Sequence, residues 1–364
     1  MLKFFLSWRI GLFAVAYLSS LVFTKVQNGG PGAVSPDTPY NYWLSWAQWD
    51  GGHYLSIISN GYQLPSDSAF FPLYPALVKL LGPFFSGNFL ISGLAVANIA
   101  FAFFLLVLSR LPADRASKPG RQNTIFAYIF YPAAFFAVSF YSEGLYLLVS
   151  TAAFLFYFKN KYATAFFLAG VASVTRPFGI LLIISLLTSY VFCNLKGSIS
   201  QLLFSVLKYL LLCTFLPFLY FQFLSLKFGS PLIFFSVQSM WGREAADPIS
   251  TFLRYIIPML TLQSRPLMDY FDILVFASFL LVLILGAKKL KTAYWIYSML
   301  VILIPASTGT LSSIPRYSLS SIGVFILIAN YVTLHPKLKP VLFTGFLAVQ
   351  VFLLVRFING YWAG

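Results

Sequence analysis

Eleven times along this chain an apolar run of 15 to 24 residues passes with almost no charge inside it. About 20 such residues cross a bilayer core as a helix, and lipid offers no partner to an open backbone N–H or C=O. The approximate spans are 5–26, 88–109, 123–141, 143–158, 162–176, 178–195, 202–225, 270–287, 292–310, 318–334 and 341–358. They are continuous rather than alternating in ten-residue units, which excludes a transmembrane barrel. Hydrophobic residues make up 59% of the chain and charged residues 9%, too few to cover a soluble surface. The expected fold class is an all-α polytopic membrane protein of about eleven transmembrane helices, a single integral domain over 1–364. Pro132, Pro177 and Pro305 are expected to break or end helices. The first run is long and lacks a small-x-small cleavage site, so it reads as a retained signal anchor. Cys193 and Cys213 both fall inside spans and frame neither a disulfide nor a metal cluster.

Orientation follows from the basic residues. A cytoplasmic N-terminus puts 15 of the 24 Lys and Arg inside, mostly in short loops and with Arg9 among them, as the positive-inside rule requires. The net charge of +15 is then a topology signal that also suits anionic lipid, not a nucleic-acid signal. Eight of the nine acids fall on the outer face: Asp37, Asp50, Asp67, Glu143, Glu244, Asp247, Asp269 and Asp272, with Asp114 alone inside. Acids contribute little to topology, so this bias puts any chemistry outside. Two outer segments are long. The first, 27–87, ends in an apolar stretch interrupted by Pro72, Pro75 and Pro83, which suits a re-entrant or surface-lying helix. The second is 226–269. No internal repeat stands out.

Within the first outer loop, WAQWDGGHYL places Asp50 before two glycines. Asp50 either caps the helix starting near Gly51 or takes a proton from a hydroxyl, and the two roles are compatible. His53, three residues on, shares its helix face. Two ligands do not make a metal site, His335 lies on the other side, and no Asp-x-Asp occurs; only Glu244-x-x-Asp247 and Asp269-x-x-Asp272 come near. Glu143 in FYSEGLY and Arg176 in VTRPFG occupy neighbouring outer turns and either pair with each other or hold a polar ligand. As an exposed turn tip Glu143 would carry no cost; at membrane depth it would mark function. Arg316 in SIPRYS, beside Ser312, Ser313 and Tyr317, and Arg243 in WGRE form a candidate phosphate clamp or a lipid-headgroup site. No ATP source exists outside, so a reaction there needs an activated donor held in the membrane. A sugar on a polyprenyl phosphate fits. A flippase of lipid-linked sugars is the alternative, though it needs a polar midplane path; an O-acyltransferase needs a buried His, and neither His lies in a span.

The run WDGGHYLSIISNGY followed by AFFPLYP resembles the first outer loop of the PIG-V-like mannosyltransferases, the family of the second mannosyltransferase of GPI-anchor synthesis. YPAAFFAVSFYSEGLYLL, ASVTRPFGILL, FFSVQSMWGR and SIPRYSLS continue the likeness in order, from about Trp46 to Ser320. The resemblance implies a GT-C glycosyltransferase fold and transfer of a sugar, mannose in this family, from a polyprenyl-phosphate donor to a glycolipid, glycan or other hydroxyl acceptor. It implies an active site on the non-cytoplasmic face of the cell membrane, inversion at the anomeric carbon, and no metal or other cofactor. Asp50 matches the expected base. His53, Glu143, Arg176 and Arg316 match motif positions, and Trp49, Gln238, Trp241, Arg243 and Tyr317 join them as substrate-binding candidates. Short loops and a plain YWAG terminus suit a prokaryotic relative.

Overall fold

A computed structural model describes residues 2–26, 41–112 and 118–364; Asp37 and Asp114 lie outside them. The described residues are helical, with no strand. In chain order the helices are α1 (Leu2–Val22), α2 (Asp50–Asn60), α3 (Leu73–Leu81), α4 (Phe89–Leu108), α5 (Lys118–Phe130), α6 (Glu143–Phe158), α7 (Tyr162–Ser173) and α8 (Phe178–Asn194). There follow α9 (Ile199–Phe228), the short α10 (Ile233–Ser236), α11 (Pro248–Leu260), α12 (Leu267–Leu285), α13 (Thr292–Ala306), the single turn α14 (Ile314–Tyr317), α15 (Ile322–Leu334) and α16 (Leu338–Ile358). Helix α4 packs on α6, α6 on α7 and α7 on α9, while α5 lies against α15, and α1 against α16.

All eleven apolar runs contain helix, but they are not eleven equal spans. Among the described residues only α1, α4, α9, α12 and α16 are long and apolar enough to cross a bilayer unaided, or six spans if α14 and α15, bent by 82°, count as one. Helix α6 has 16 residues and α7 has 12, so they rise roughly 24 and 18 Å at 1.5 Å per residue. Helix α9, with 30 residues, carries a largely exposed apolar surface that includes Phe204, Leu211, Phe215 and Phe218, as a lipid-facing helix must.

The run 123–141 is broken where Pro132 requires. Helix α5 ends at Phe130, and residues 131–142 continue as an irregular, wholly buried segment with one tight helical turn at Ala134–Val138. Buried irregular backbone has to be paired by other groups. Three side chains from distant helices supply much of that pairing. Gln350 Nε2 donates to Ile129 O at 2.9 Å and Tyr131 O at 2.7 Å, while Arg9 Nη2 and Asn98 Nδ2 each donate to Val138 O at 3.0 Å. Phe140 N completes the set by donating to Trp46 O at 3.0 Å. Arg9 is thus no loop charge. It is buried, bonded also to Asn98 Oδ1 at 2.7 Å, and stacked on the rings of Phe13 and Trp46.

The stretch after Phe70 does not span, as its prolines require: α3 lies across α4, with Leu80 and Phe84 exposed. Within 226–269 stands α11, an amphipathic helix that the apolar-run reading passed over. Asp247 caps it by accepting from Ser250 N at 2.8 Å, and Ile249, Leu253, Ile257 and Leu260 form its exposed apolar face.

Candidate active site

Asp50 opens α2 immediately after Trp49, whose backbone passes through φ 56° and ψ −117°. A bulky residue with positive φ is held there by its surroundings, and such strain gathers at functional sites. Gly51 follows because a Cβ there would lie 3.1 Å from Ala47 Cβ and 3.2 Å from Phe140 O. No side chain caps α2. The capping reading of Asp50 fails for that reason: its carboxylate turns away from the helix and accepts from Arg316 Nη1 at 2.7 Å.

Arg316 is presented by α14, a turn that starts after left-handed Ser313 (φ 71°) and carries Pro315 in its first turn. Its Nε lies 3.6 Å from Glu143 Oε1. Glu143 is the first residue of α6 and forms an ion pair with Nη1 of Arg176, on the connection between α7 and α8. Arg176 also donates to Ser142 Oγ at 3.3 Å, which accepts from Tyr54 OH at 2.8 Å. Asp50, Arg316, Glu143 and Arg176 therefore form a line of alternating charge drawn from four distant stretches of chain. Glu143 is no exposed turn tip: its side chain is 4% accessible, against 10% for Arg176, 5% for Arg316 and 23% for Asp50. Asp50 is the carboxylate a ligand can reach.

Arg243 completes the cluster. It donates to Thr308 Oγ1, Ser312 O and Tyr317 OH, each at 3.0 Å. The Tyr317 ring lies 5.3 Å from the Arg243 guanidinium and 5.4 Å from that of Arg316. Three guanidiniums thus gather with Asp50 and Glu143, and a third carboxylate, buried Asp272, lies within electrostatic reach of Arg243. Arg316 is buried on both acids, whereas Arg243 is half-buried beside Tyr317. On the other flank His53 stacks on Phe70 at 4.5 Å, and Trp241 stands edge-on to both at 6.3 and 6.2 Å. Burial lowers the His53 pKa from its ordinary value, against the opposing pull of Asp50 and Asp67. Asp67 accepts from Gln63 N and Leu64 N, each at 2.8 Å, and holds its own loop.

Two candidates lie apart from the charged line. Gln238 folds back onto Phe234 O at 3.2 Å, and Trp49 packs edge-on against Trp362 at 5.0 Å. Sequence reasoning passed over Ser142, Tyr54 and Phe70, although all three lie inside the motifs it singled out. Among the described residues no group of three or more His, Cys, Asp or Glu is placed to hold a metal ion.

The sequence profile of the family described as Mannosyltransferase (PIG-V) matches residues 1–235, which include Asp50, His53, Glu143 and Arg176 but stop short of Arg243 and Arg316. No curated protein matches the chain. Among solved structures the fold is similar to ArnT from Cupriavidus metallidurans bound to undecaprenyl phosphate, with a TM-score of 0.52 at 11% identity, covering 97% of this chain and 76% of that one. The apo form of the same protein matches with a TM-score of 0.51 at 13% identity over the same shares. The GT-C-type fold implied by the resemblance is the fold observed.

Proposed function

Starting from a chain that belongs to the Mannosyltransferase (PIG-V) family, we propose that it moves mannose from a polyprenyl-phosphate donor to a hydroxyl of a glycolipid or glycan acceptor, on the non-cytoplasmic face and with inversion. The observation that carries this reading is the 2.7 Å contact between Asp50, the accessible acid, and Arg316, which a second carboxylate also holds. Asp50 accepts the proton of the acceptor hydroxyl as its oxygen bonds to the anomeric carbon. The bond from that carbon to the phosphate oxygen breaks on the opposite side, and its electron pair leaves with the polyprenyl phosphate. A single displacement inverts the centre.

The leaving phosphate gains charge as the bond breaks, and fixed donors aimed at such charge are the strongest source of catalysis available to a protein. Arg243 and Tyr317 OH fill that role. His53, Phe70 and Trp241 provide ring faces for a sugar. A lateral groove of about 450 Å³ lined by Tyr62, Leu73, Leu216, Tyr220 and Phe223 suits an isoprenoid tail. Val174, also on its wall, is two residues from Arg176. The ligand in the ArnT structure is of the same chemical class as this donor.

The test is transfer of radiolabelled mannose from polyprenyl-phosphate mannose to a glycolipid pool by the purified protein in nanodiscs, with and without EDTA. Wild type should transfer in both conditions. Asp50→Asn should stay folded and lose at least ~100-fold in rate. Near-normal transfer by that variant removes Asp50 as the base, and an inactive wild type removes the donor assignment.

A further inference from the structure

The segment after α16 touches both halves of the Asp50–Arg316 pair at one remove. It turns at left-handed Gly360 (φ 84°) and is tied down on each side: Val26 N donates to Asn359 O at 3.0 Å, Tyr361 N to Arg356 O at 2.9 Å, and Arg356 Nε to Trp362 O at 3.1 Å. So anchored, the Trp362 ring stands edge-on to Trp49, centroids 5.0 Å apart and planes at 86°. Trp49 is the positive-φ residue immediately before Asp50. Its indole nitrogen is buried with no hydrogen-bond partner in the structure, so that ring is held by packing alone. Ala363 and Gly364 are buried, and a Cβ on Gly364 would stand 3.4 Å from the Phe136 ring. The guanidinium of Arg316 lies 5.5 Å from that same ring and 5.6 Å from Tyr141, whose OH donates to Gln48 O at 2.7 Å.

We propose that Trp362 is a positioning residue for the transfer reaction: from the segment after α16 it braces Trp49 in its strained conformation and so fixes the Asp50 carboxylate against Arg316. Trp362 does not contact substrate. Its effect reaches the reacting atoms through Trp49, and it rests on the reading of Asp50 as the base. A strained residue keeps an unfavourable φ only while its neighbours over-determine it. Without the indole of Trp362 the Trp49 backbone relaxes, and the carboxylate leaves the geometry that proton transfer requires.

The experiment compares Trp362→Ala, Trp362→Phe and Leu338→Ala, which removes an exposed side chain from the far end of α16. Two readouts are taken on each full-length protein in nanodiscs: steady-state mannose transfer, and amide hydrogen exchange over residues 46–54. Trp362→Ala should lower kcat about tenfold or more while donor KM stays within about twofold, because the lesion is orientation rather than binding. It should also quicken exchange over 46–54 without changing exchange in α12. Trp362→Phe keeps an edge-on ring and should restore most of both, and Leu338→Ala should change neither. Unchanged exchange over 46–54 in Trp362→Ala overturns the bracing, as does an unchanged kcat. Exchange that quickens in α12 as well shows a general loss of fold and overturns it equally. Should wild type prove inactive, or Asp50→Asn active, the base assignment fails, while the exchange readout still decides the bracing by itself.

Discussion

Arg316 meets Asp50 with one nitrogen and approaches Glu143 with another, whereas Arg243 is bonded only to neutral oxygens. That difference separates two roles that sequence alone leaves merged. Arg316→Lys keeps the charge but not the planar fork that reaches both acids, so it should lower kcat by roughly 10- to 100-fold with little change in donor KM. Arg243→Ala should raise donor KM at least as much as it lowers kcat. Single-turnover and steady-state transfer assays distinguish the two patterns, and the reverse assignment would return the clamp to Arg316. His53 adds a pH dependence. Its folded pKa lies below the unfolded value of about 6.5. Above that value both states are neutral and it contributes nothing; as pH falls through 6.5 the unfolded chain takes the proton first, and stability is lost. The apparent Tm in detergent should therefore drop from pH 7.5 to 5.5, and His53→Gln should remove part of that drop. The identities in this cluster were legible because WDGGHY, SEGLY, TRP and IPRY each set a polar group in an apolar frame. Neighbouring outer turns also offer the Glu143–Arg176 pair, and Asp50 and Arg316 are expected in one pocket; the direct contact of those two, 266 positions apart, has no local signal.

At the level of helices, the buried segment 131–142 is the unusual element, and its pairing explains polar residues that otherwise look misplaced in spans. Gln350→Leu removes the donor to two buried carbonyls and the acceptor of Trp8 Nε1, and should cost at least about 3 kcal/mol, since each unsatisfied group costs ~1–3 kcal/mol. Thermal unfolding measures this; a loss below about 1 kcal/mol would mean that those carbonyls find other donors. Length of apolar run located every helix built from such a run, and Pro132 announced the break. What it missed has a different signal. Helix α11 is marked by Asp-Pro at its start and by apolar residues at helical spacing, not by overall hydropathy. The bend between α14 and α15 has only a faint signal: Ser321 at the junction is a residue type favoured at helix starts, yet its hydroxyl makes no cap bond.

For the whole molecule, the sorting of acids by loop put Asp50, Glu143 and Asp272 on one face, and the structure gathers the clustered ones at one end. The basic turns, such as that around Lys159 and Lys161, lie at the opposite ends of the same short helices. Which compartment each end faces is open to direct labelling. In a Cys193→Ser background, Glu244→Cys and Ser198→Cys put exposed thiols at the site end and the basic end, respectively. A membrane-impermeant maleimide added to intact cells should label the first and spare the second; the opposite pattern would reverse the topology. One consequence of the Gln350 bonds concerns time rather than shape. Translation at roughly 5 to 20 residues per second separates the carbonyl of Tyr131 from its donor, 219 positions later, by about 11 to 44 s. For that interval the nascent polypeptide carries a carbonyl without its donor, and only once α16 has been made can the middle of the protein close.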